Sequence, residues 1–470
     1  MRKLVIIFIL FLVANAAYLH RVPGLLGDEG SEGENVYQLL QSENITIIGE
    51  RSYIGPLIDY VRVPFIAVFG YTPLALRMLM LTASIAIFFL AKAVLIKLFD
   101  EDVGMIALVI FLFSPIFLLQ QRLGWAITLN IFFFWLLIYA LMSTWKYKWL
   151  LSGLIAGIAL SNDIIFLPTL VATSICLFVG YVLSGNIREK TILLITSSWL
   201  VIVGFVAGFG TQAAVLLLFT EDQGSRAEVI AGFSSRLAEY LPSLPLYISG
   251  SSYVARYTGT EFSPFAISTI SLILCVLACI GLFHKKRMYI LLFLIGLGIH
   301  SYLLLYMVDR FTLRYFASLS MIIWLLSGIG FGVIVKRFAP QKIVQFAPIC
   351  IAIFLMFWTA YTTLIPFLRT GGSLQEFSLG NRNDKASAFV DIRPLASCVR
   401  GKGIVYATSQ DIYDRLLYLS RSDDQIQVVD GEHKAQAQFI IRYKKPDQQF
   451  MSDAKSICPD VPFFTVLSAI

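Results

Sequence analysis

The sequence predicts an all-α polytopic membrane bundle of about 11 transmembrane helices, followed by a small α/β domain at the C-terminal end. Three observations carry that prediction. Hydrophobic residues make up 57% of the 470 and charged residues only 14%, whereas soluble domains run at roughly 45–50% and about 25%. Eleven apolar stretches follow one another before residue 368, and about 20 apolar residues are needed to cross a bilayer core. Beyond residue 368 the charges return to a soluble balance, and the apolar residues fall into short strand-like and helix-like runs.

The stretches are Leu4–Leu19, Pro73–Ile96, Val103–Leu119, Trp125–Met142, Trp149–Leu160, Ile164–Leu183, Ile192–Phe219, Phe265–Phe283, Tyr289–Met307, Leu313–Val335 and Val344–Phe367. The fifth is short and extends toward Asn162. Placing the N-terminus inside puts Arg2 and Lys3, Lys92 and Lys97, Lys146 and Lys148, Arg188 and Lys190, Lys285 to Arg287, then Lys336, Arg337 and Lys342 on one side. Basic residues gather in cytoplasmic loops, so the net charge of +7 marks membrane orientation and not a nucleic-acid surface. An odd number of spans leaves the C-terminus outside. Residues 1–20 also fit a cleaved signal peptide, with Ala14-Asn15-Ala16 as the cleavage site. A retained first helix is the preferred reading, because Lys3 and Arg21 can snorkel at its ends.

The chain therefore divides into a membrane part, 1–367, with outside loops 21–72 and 220–264, and an extracytoplasmic α/β domain, 368–470. The first loop is acidic, and its stretch Glu32–Ser42 suits a short helix on the membrane surface. Gly55-Pro56 marks a turn before an apolar, aromatic run. In the tail, Gly403–Thr408, Gln425–Asp430, Gln438–Tyr443 and Phe463–Leu467 read as strands, with helices over Lys385–Cys398 and Gln410–Arg421. The tail has neither a glycine-rich phosphate loop nor a metal-ligand cluster. Cys398 and Cys458 share the outside tail, where a disulfide persists; Cys176, Cys275, Cys279 and Cys350 lie in apolar spans and read as buried small hydrophobes. Asn44-Ile45-Thr46 has the glycan-acceptor pattern, a common chance triplet.

Candidate chemistry collects on the outside. Asp28 and Glu29 follow the first span by a few residues, so they hold two carboxylates near the outer surface. Such a pair can act as a general base toward an acceptor hydroxyl or bind a divalent cation; the plainer reading is a solvated acidic loop. Arg310, Arg314 and Tyr315, beside Asp309 where the tenth span begins, can hold a lipid phosphate through paired guanidinium contacts, or simply anchor helix ends at headgroups. Arg122, in the tight outer turn between the third and fourth spans, and Arg256 with Tyr257, in the second loop, face the same side. Asn162, Asp163 and Arg77 sit near outer helix ends, where capping and headgroup contact explain them. His20, His284, His300 and His433 have no metal-ligand spacing; His20 alone lies near Asp28, as does Glu29, the other candidate ligand.

The order of motifs resembles a known family. Gly27-Asp28-Glu29-Gly30, Tyr37, Gly55-Pro56-Leu57-Ile58-Asp59-Tyr60, Pro64-Phe65 to Phe69-Gly70 and Ala75-Leu76-Arg77 come in sequence. Phe113-Ser114-Pro115, Gly153-Leu154-Ile155-Ala156-Gly157 and Arg314-Tyr315-Phe316 follow. Over residues 1–335 this order is similar to that of the GT-C glycosyltransferases, nearest to their protein mannosyltransferase-like and lipid A aminoarabinose transferase-like branch. The resemblance implies transfer of a sugar from a polyprenyl-phosphate donor to a glycan, lipid or protein acceptor outside a prokaryotic plasma membrane. It implies Asp28 as the base and Glu29 as its acidic partner. Arg122, Arg310, Arg314 and Tyr315 would face the donor phosphate, and Tyr37, Tyr60, Arg256 and Tyr257 the acceptor. A single in-line displacement would invert the anomeric carbon. Two departures stand out: Arg122 is followed by Leu123-Gly124-Trp125-Ala126-Ile127-Thr128 without the acid that relatives carry, and Gly55-Pro56 replaces a double proline.

Two other classes compete. A flippase for lipid-linked glycans needs a polar path across the bilayer, and the spans carry few charges. A non-catalytic cell-envelope assembly protein would act through its C-terminal domain.

Overall fold

The computed structural model describes residues 2–42, 54–183, 187–218, 233–258, 262–307, 313–373, 389–430, 433–443, 458 and 464–468. The apolar stretches are mostly helical over their described residues. In chain order the helices are α1 (Arg2–Ala16), α2 (Gly27–Gln41), α3 (Leu57–Phe69), α4 (Pro73–Leu98), α5 (Glu101–Leu112), α6 (Pro115–Gln120), α7 (Asn130–Met142), α8 (Lys148–Asn162), α9 (Leu167–Leu183) and α10 (Ile187–Leu218). They continue with α11 (Phe233–Ser249), α12 (Ser251–Thr258), α13 (Pro264–Gly281), α14 (Arg287–Met307), α15 (Leu313–Phe338), α16 (Gln341–Thr359) and α17 (Ile365–Thr370), the last two joined by a π-helical turn.

Among the described residues, five helical stretches are long and apolar enough to cross a membrane: Pro73–Leu98, Pro264–Gly281, Arg287–Met307, Tyr315–Phe338 and Gln341–Thr370. The chain is thus a multi-pass membrane protein, while several expected spans are shorter or interrupted. Val103–Leu119 breaks at Ser114-Pro115, where the proline cannot continue the helix; Ser114 Oγ instead caps α6 by accepting from the Phe117 N–H at 3.3 Å.

The bundle is built around α5, whose residues from Val103 to Leu112 are almost all buried against α4, α15 and α16. A helix hydrophobic on every side belongs in the centre. α8 and α10 cross backbone to backbone. A Cβ added at Gly153 or Gly157 would strike the Val201 or Phe205 carbonyl oxygen at 2.1 and 2.5 Å, and one at Gly204 or Gly208 would strike those of Leu150 or Leu154 at 2.2 and 2.6 Å. Small residues four apart permit this approach. The lysines gather at one end of the bundle: Lys97 Nζ donates to the Met142 carbonyl at 2.5 Å, and Lys336 pairs with Asp100 at 2.9 Å.

At the opposite end lies the C-terminal sheet. Its strands β3 (Ile404–Ala407), β4 (Gln427–Val429), β5 (Phe439–Tyr443) and β6 (Phe464–Ser468) run in the order β4-β3-β5-β6, with only β6 antiparallel to its neighbour. α18 (Arg393–Val399) and α19 (Gln410–Ser420) accompany them, and Cys398 is bonded to Cys458. The expected helix over Lys385–Cys398 is shorter. Phe389–Val390 is a strand, β2, paired with Gly372–Ser373, β1, and α18 starts at Arg393 with Pro394 in its first turn, where the missing N–H costs no helical hydrogen bond.

Two loop expectations also change. The first-loop helix starts at Gly27 and lies under the C-terminal sheet region, so it is no surface helix: Leu25, Val36, Ile66 and Leu76 share one apolar core with Val405, Ile412, Leu416, Ile441 and Val466. The second loop contains α11 and α12. None of the four free cysteines is fully buried, and Cys279 and Cys350 are exposed, because the outer wall of a membrane bundle is itself apolar.

Candidate active site

α2 opens with two carboxylates in its first turn, where a helix N-terminus favours negative charge. The two are not equivalent. Glu29 is fully buried and grips Arg77 with both oxygens, Oε1 accepting from Nε at 2.9 Å and Oε2 from Nη2 at 2.7 Å. It also accepts from the Gly124 N–H at 2.7 Å and the Leu26 N–H at 3.1 Å. Arg77 directs its remaining N–H groups to the carbonyls of Leu19, Pro23 and Gly24. A buried ion pair is tolerable when every remaining donor and acceptor is met, and this one is. The finding revises both residues: Arg77 is no headgroup contact, and Glu29 is sealed away from an acceptor or a metal ion. Glu29 is the knot that ties α2 to α4 and to the turn before α7.

One helical turn beyond Asp28, on the same face, Glu32 accepts from Arg62 and from the Ala126 N–H at 3.3 Å. Arg62, wholly buried, also donates to Asp59 at 3.4 Å and to the Gly124 carbonyl. Burial pushes the Glu32 carboxyl above its ordinary range; Arg62 opposes the rise, and the Asp28 charge adds to it. Asp28 itself is half-buried, at the rim of this polar crown.

Arg122 has a different task from the expected phosphate clamp. Its guanidinium is buried and donates to the carbonyls of Ala14, Ala17 and Val22 at 2.7–3.3 Å. Those groups belong to the end of α1 and the turn after it, where helix carbonyls lack partners.

The C-terminal region closes over α2. A Cβ at Gly30 would lie 2.7 Å from the Asp414 carbonyl oxygen, and one at Gly33 would lie 2.4 Å from the Tyr418 ring. The glycines at three-residue spacing therefore admit α19 to direct contact. Around that crossing, Arg421 donates to both Glu34 oxygens at 2.9 and 2.6 Å and covers the Tyr37 ring at 4.0 Å. Glu34 in turn raises the Arg421 pKa. Tyr418 Oη donates to the Thr72 carbonyl at 3.0 Å, and Arg415 donates to that of Leu25 at 3.1 Å. Tyr37 thus belongs to this latch. Tyr257 is buried and donates to the Leu119 carbonyl at 2.6 Å, while Tyr253 donates to Gln120 at 2.6 Å, so α12 clamps α6.

Tyr60 is half-buried on α3, and His20 is exposed. Arg310 lies outside the described residues, as do the side chains of Arg256 and Arg314. Among the described residues no three His, Cys, Asp or Glu side chains are grouped to hold a metal ion.

Beneath the crown lies a cavity of about 640 Å³ between α7, α9, α14 and α15, walled by side chains such as Phe134, Ile138, Leu177, Leu292 and Phe293. It extends from Met142 and Lys286, at the lysine-rich end, up to Asn130, Thr169 and His300. A second space of about 30 Å³ adjoins it, sharing Asn130, Thr169, His300 and Ser318 and reaching Gln120, Ile127, Thr128 and Tyr315. Ala126, whose N–H meets Glu32, immediately precedes Ile127, so this upper space begins one residue from the crown. Sequence reasoning names neither Glu32 nor Arg62 as a site residue; their signal is the spacing of Asp28 and Glu32 by one helical turn.

No protein-family model matches the chain, and no curated protein sequence does. Solved structures do. The chain resembles ArnT from Cupriavidus metallidurans bound to undecaprenyl phosphate with a TM-score of 0.56 at 10% identity, over 99% of this chain and 97% of that one. It resembles ArnT of the same organism in the apo state with a TM-score of 0.57 at 11% identity, over 98% of both chains. The chain therefore shares the fold of these ArnT structures.

Proposed function

We propose that this protein is a membrane glycosyltransferase that moves a sugar from a polyprenyl-phosphate donor to an acceptor at the extracytoplasmic face. The observation that carries the reading is an apolar cavity of about 640 Å³, adjoined by a smaller space lined by Ile127, the residue after the crown's Ala126, in a fold shared with a protein bound to undecaprenyl phosphate. An apolar cavity of this size suits a prenyl tail. The lysine-rich end then faces the cytoplasm, and the tail after residue 368 forms an outside domain over the first loop.

In this reading Asp28 takes the proton of an acceptor hydroxyl. The acceptor oxygen attacks the anomeric carbon, the bond from that carbon to the phosphate oxygen breaks, and the lipid monophosphate leaves with the electron pair. One in-line displacement inverts the anomeric carbon. Glu29, Glu32 and Glu34 are buried, whereas Asp28 stands half-buried at the rim, which makes it the acid in the first turns of α2 that an acceptor reaches. Positive charge must meet the leaving phosphate. Because Arg62, Arg77 and Arg122 are engaged with carboxylates and carbonyls, that task falls to Arg310 and Arg314, at the chain's entry into α15, beside Tyr315.

The test is transfer from radiolabelled polyprenyl-phosphate sugars in proteoliposomes, with and without EDTA, the latter deciding metal dependence. Asp28→Asn should slow transfer by about 10²–10⁴-fold, the usual contribution of a general base. An undiminished rate would remove Asp28 from the mechanism. Lipid movement between leaflets without a new glycosidic bond would replace the transferase by a flippase.

A further inference from the structure

Two side chains at the neck between the cavities are unexplained by the bundle itself. His300, on α14, is only 8% exposed and lines both spaces, and its imidazole has no hydrogen-bond partner among the described residues. Asn130, at the start of α7, also lines both, and its Oδ1 is buried without a partner. Burying a polar group without a partner is costly, and such groups are rare in folded proteins. His300 and Asn130, on different helices, line the same opening, and together they offer it polar groups that the bundle leaves unused.

The chemistry of the neck narrows what that is. Among the described residues the upper space is lined by Gln120, Thr128, Asn130, Thr169, His300, Tyr315 and Ser318 with apolar residues between them, and by no Lys, Arg, Asp or Glu. A phosphate seat calls for cations. Amide, hydroxyl and neutral imidazole groups mix donors with acceptors, which matches hydroxyl groups.

We propose that Asn130 and His300 form a subsite for the sugar hydroxyls of the lipid-linked donor. This rests on the transferase reading and deepens it. The prenyl tail fills the cavity below, the phosphate link turns toward the start of α15, and the neck fixes the sugar's orientation beneath Asp28.

Binding to the purified full chain in nanodiscs separates the alternatives, using farnesyl phosphate and its glucosyl, galactosyl, mannosyl and arabinosyl conjugates. The wild-type protein should bind at least one conjugate more tightly than bare farnesyl phosphate. His300→Phe and Asn130→Leu should each weaken that conjugate about tenfold, the scale of a lost hydrogen bond that leaves a buried group unmet, while leaving bare farnesyl phosphate and the melting temperature unchanged. His300→Gln, which keeps a donor and an acceptor, should recover part of the loss. Equal weakening of the bare and glycosylated lipids would overturn the assignment, making the neck a seat for phosphate or tail. A wild-type protein that prefers no conjugate over the bare lipid would overturn it too. Failure of the wild type to bind even bare farnesyl phosphate would instead defeat the transferase reading.

Discussion

The Glu29–Arg77 pair in the crown and the neck beneath it are both buried and polar, yet they are built on opposite rules. In the crown, Glu29 has four hydrogen bonds and Arg77 five. At the neck, His300 and Asn130 Oδ1 have none among the described residues. Complete internal pairing makes a rigid frame; incomplete pairing leaves valences for a ligand. Residues with the most partners here are positioning residues, and those with the fewest are the better candidates for contact with substrate.

The contrast fails if the crown can be dismantled cheaply. Glu29→Ala leaves the Arg77 charge buried and unpaired, and should cost about 3–5 kcal/mol, read as a lowered midpoint in thermal unfolding. A change below ~1 kcal/mol would mean that the pair bears no stress. Next in size is Gly33→Leu, which drives a side chain into the Tyr418 ring. Overpacking of this kind costs about 1–3 kcal/mol, and limited proteolysis should show the C-terminal region cut faster while the membrane helices persist.

The smallest effect concerns pH. Glu32 sits above its ordinary value of 4.5 through burial, so the folded state holds a proton that the unfolded chain releases. The associated stability is fully present below pH 4.5 and fades as pH rises through the raised folded value. Glu32→Gln should flatten that slope in melting temperature against pH. A slope identical to the wild type would assign it to another group.

Much of the architecture was legible in the sequence because a bilayer imposes long apolar runs and sorts basic residues to one side. α4 begins at the expected Pro73, and α7, α9 and α14 end at the expected Met142, Leu183 and Met307. The four tail strands fall inside or within a residue of the predicted runs. What stayed hidden depended on partners far apart along the chain. Nothing local to Glu29 points to Arg77, 48 residues on, and Arg77 looked peripheral because its place near a helix end says nothing of what folds over it. Gly27, Gly30 and Gly33 carried a usable sign, a smooth helix face, but its partner lies in the tail. Burial of cysteines was misjudged because apolar sequence in a membrane protein faces lipid as readily as core.

The crossing of α2 with α19 also sets an order of events during synthesis. At about 5–20 residues per second, the ribosome reaches Gln410 roughly 20–70 s after Gln41 has been joined. For that interval the glycine face of the first loop, together with Leu25 and Val36, must wait without its cover. The last hundred residues therefore finish a helix begun near the start, and a chain released early would lack the lid over the segment that carries Asp28.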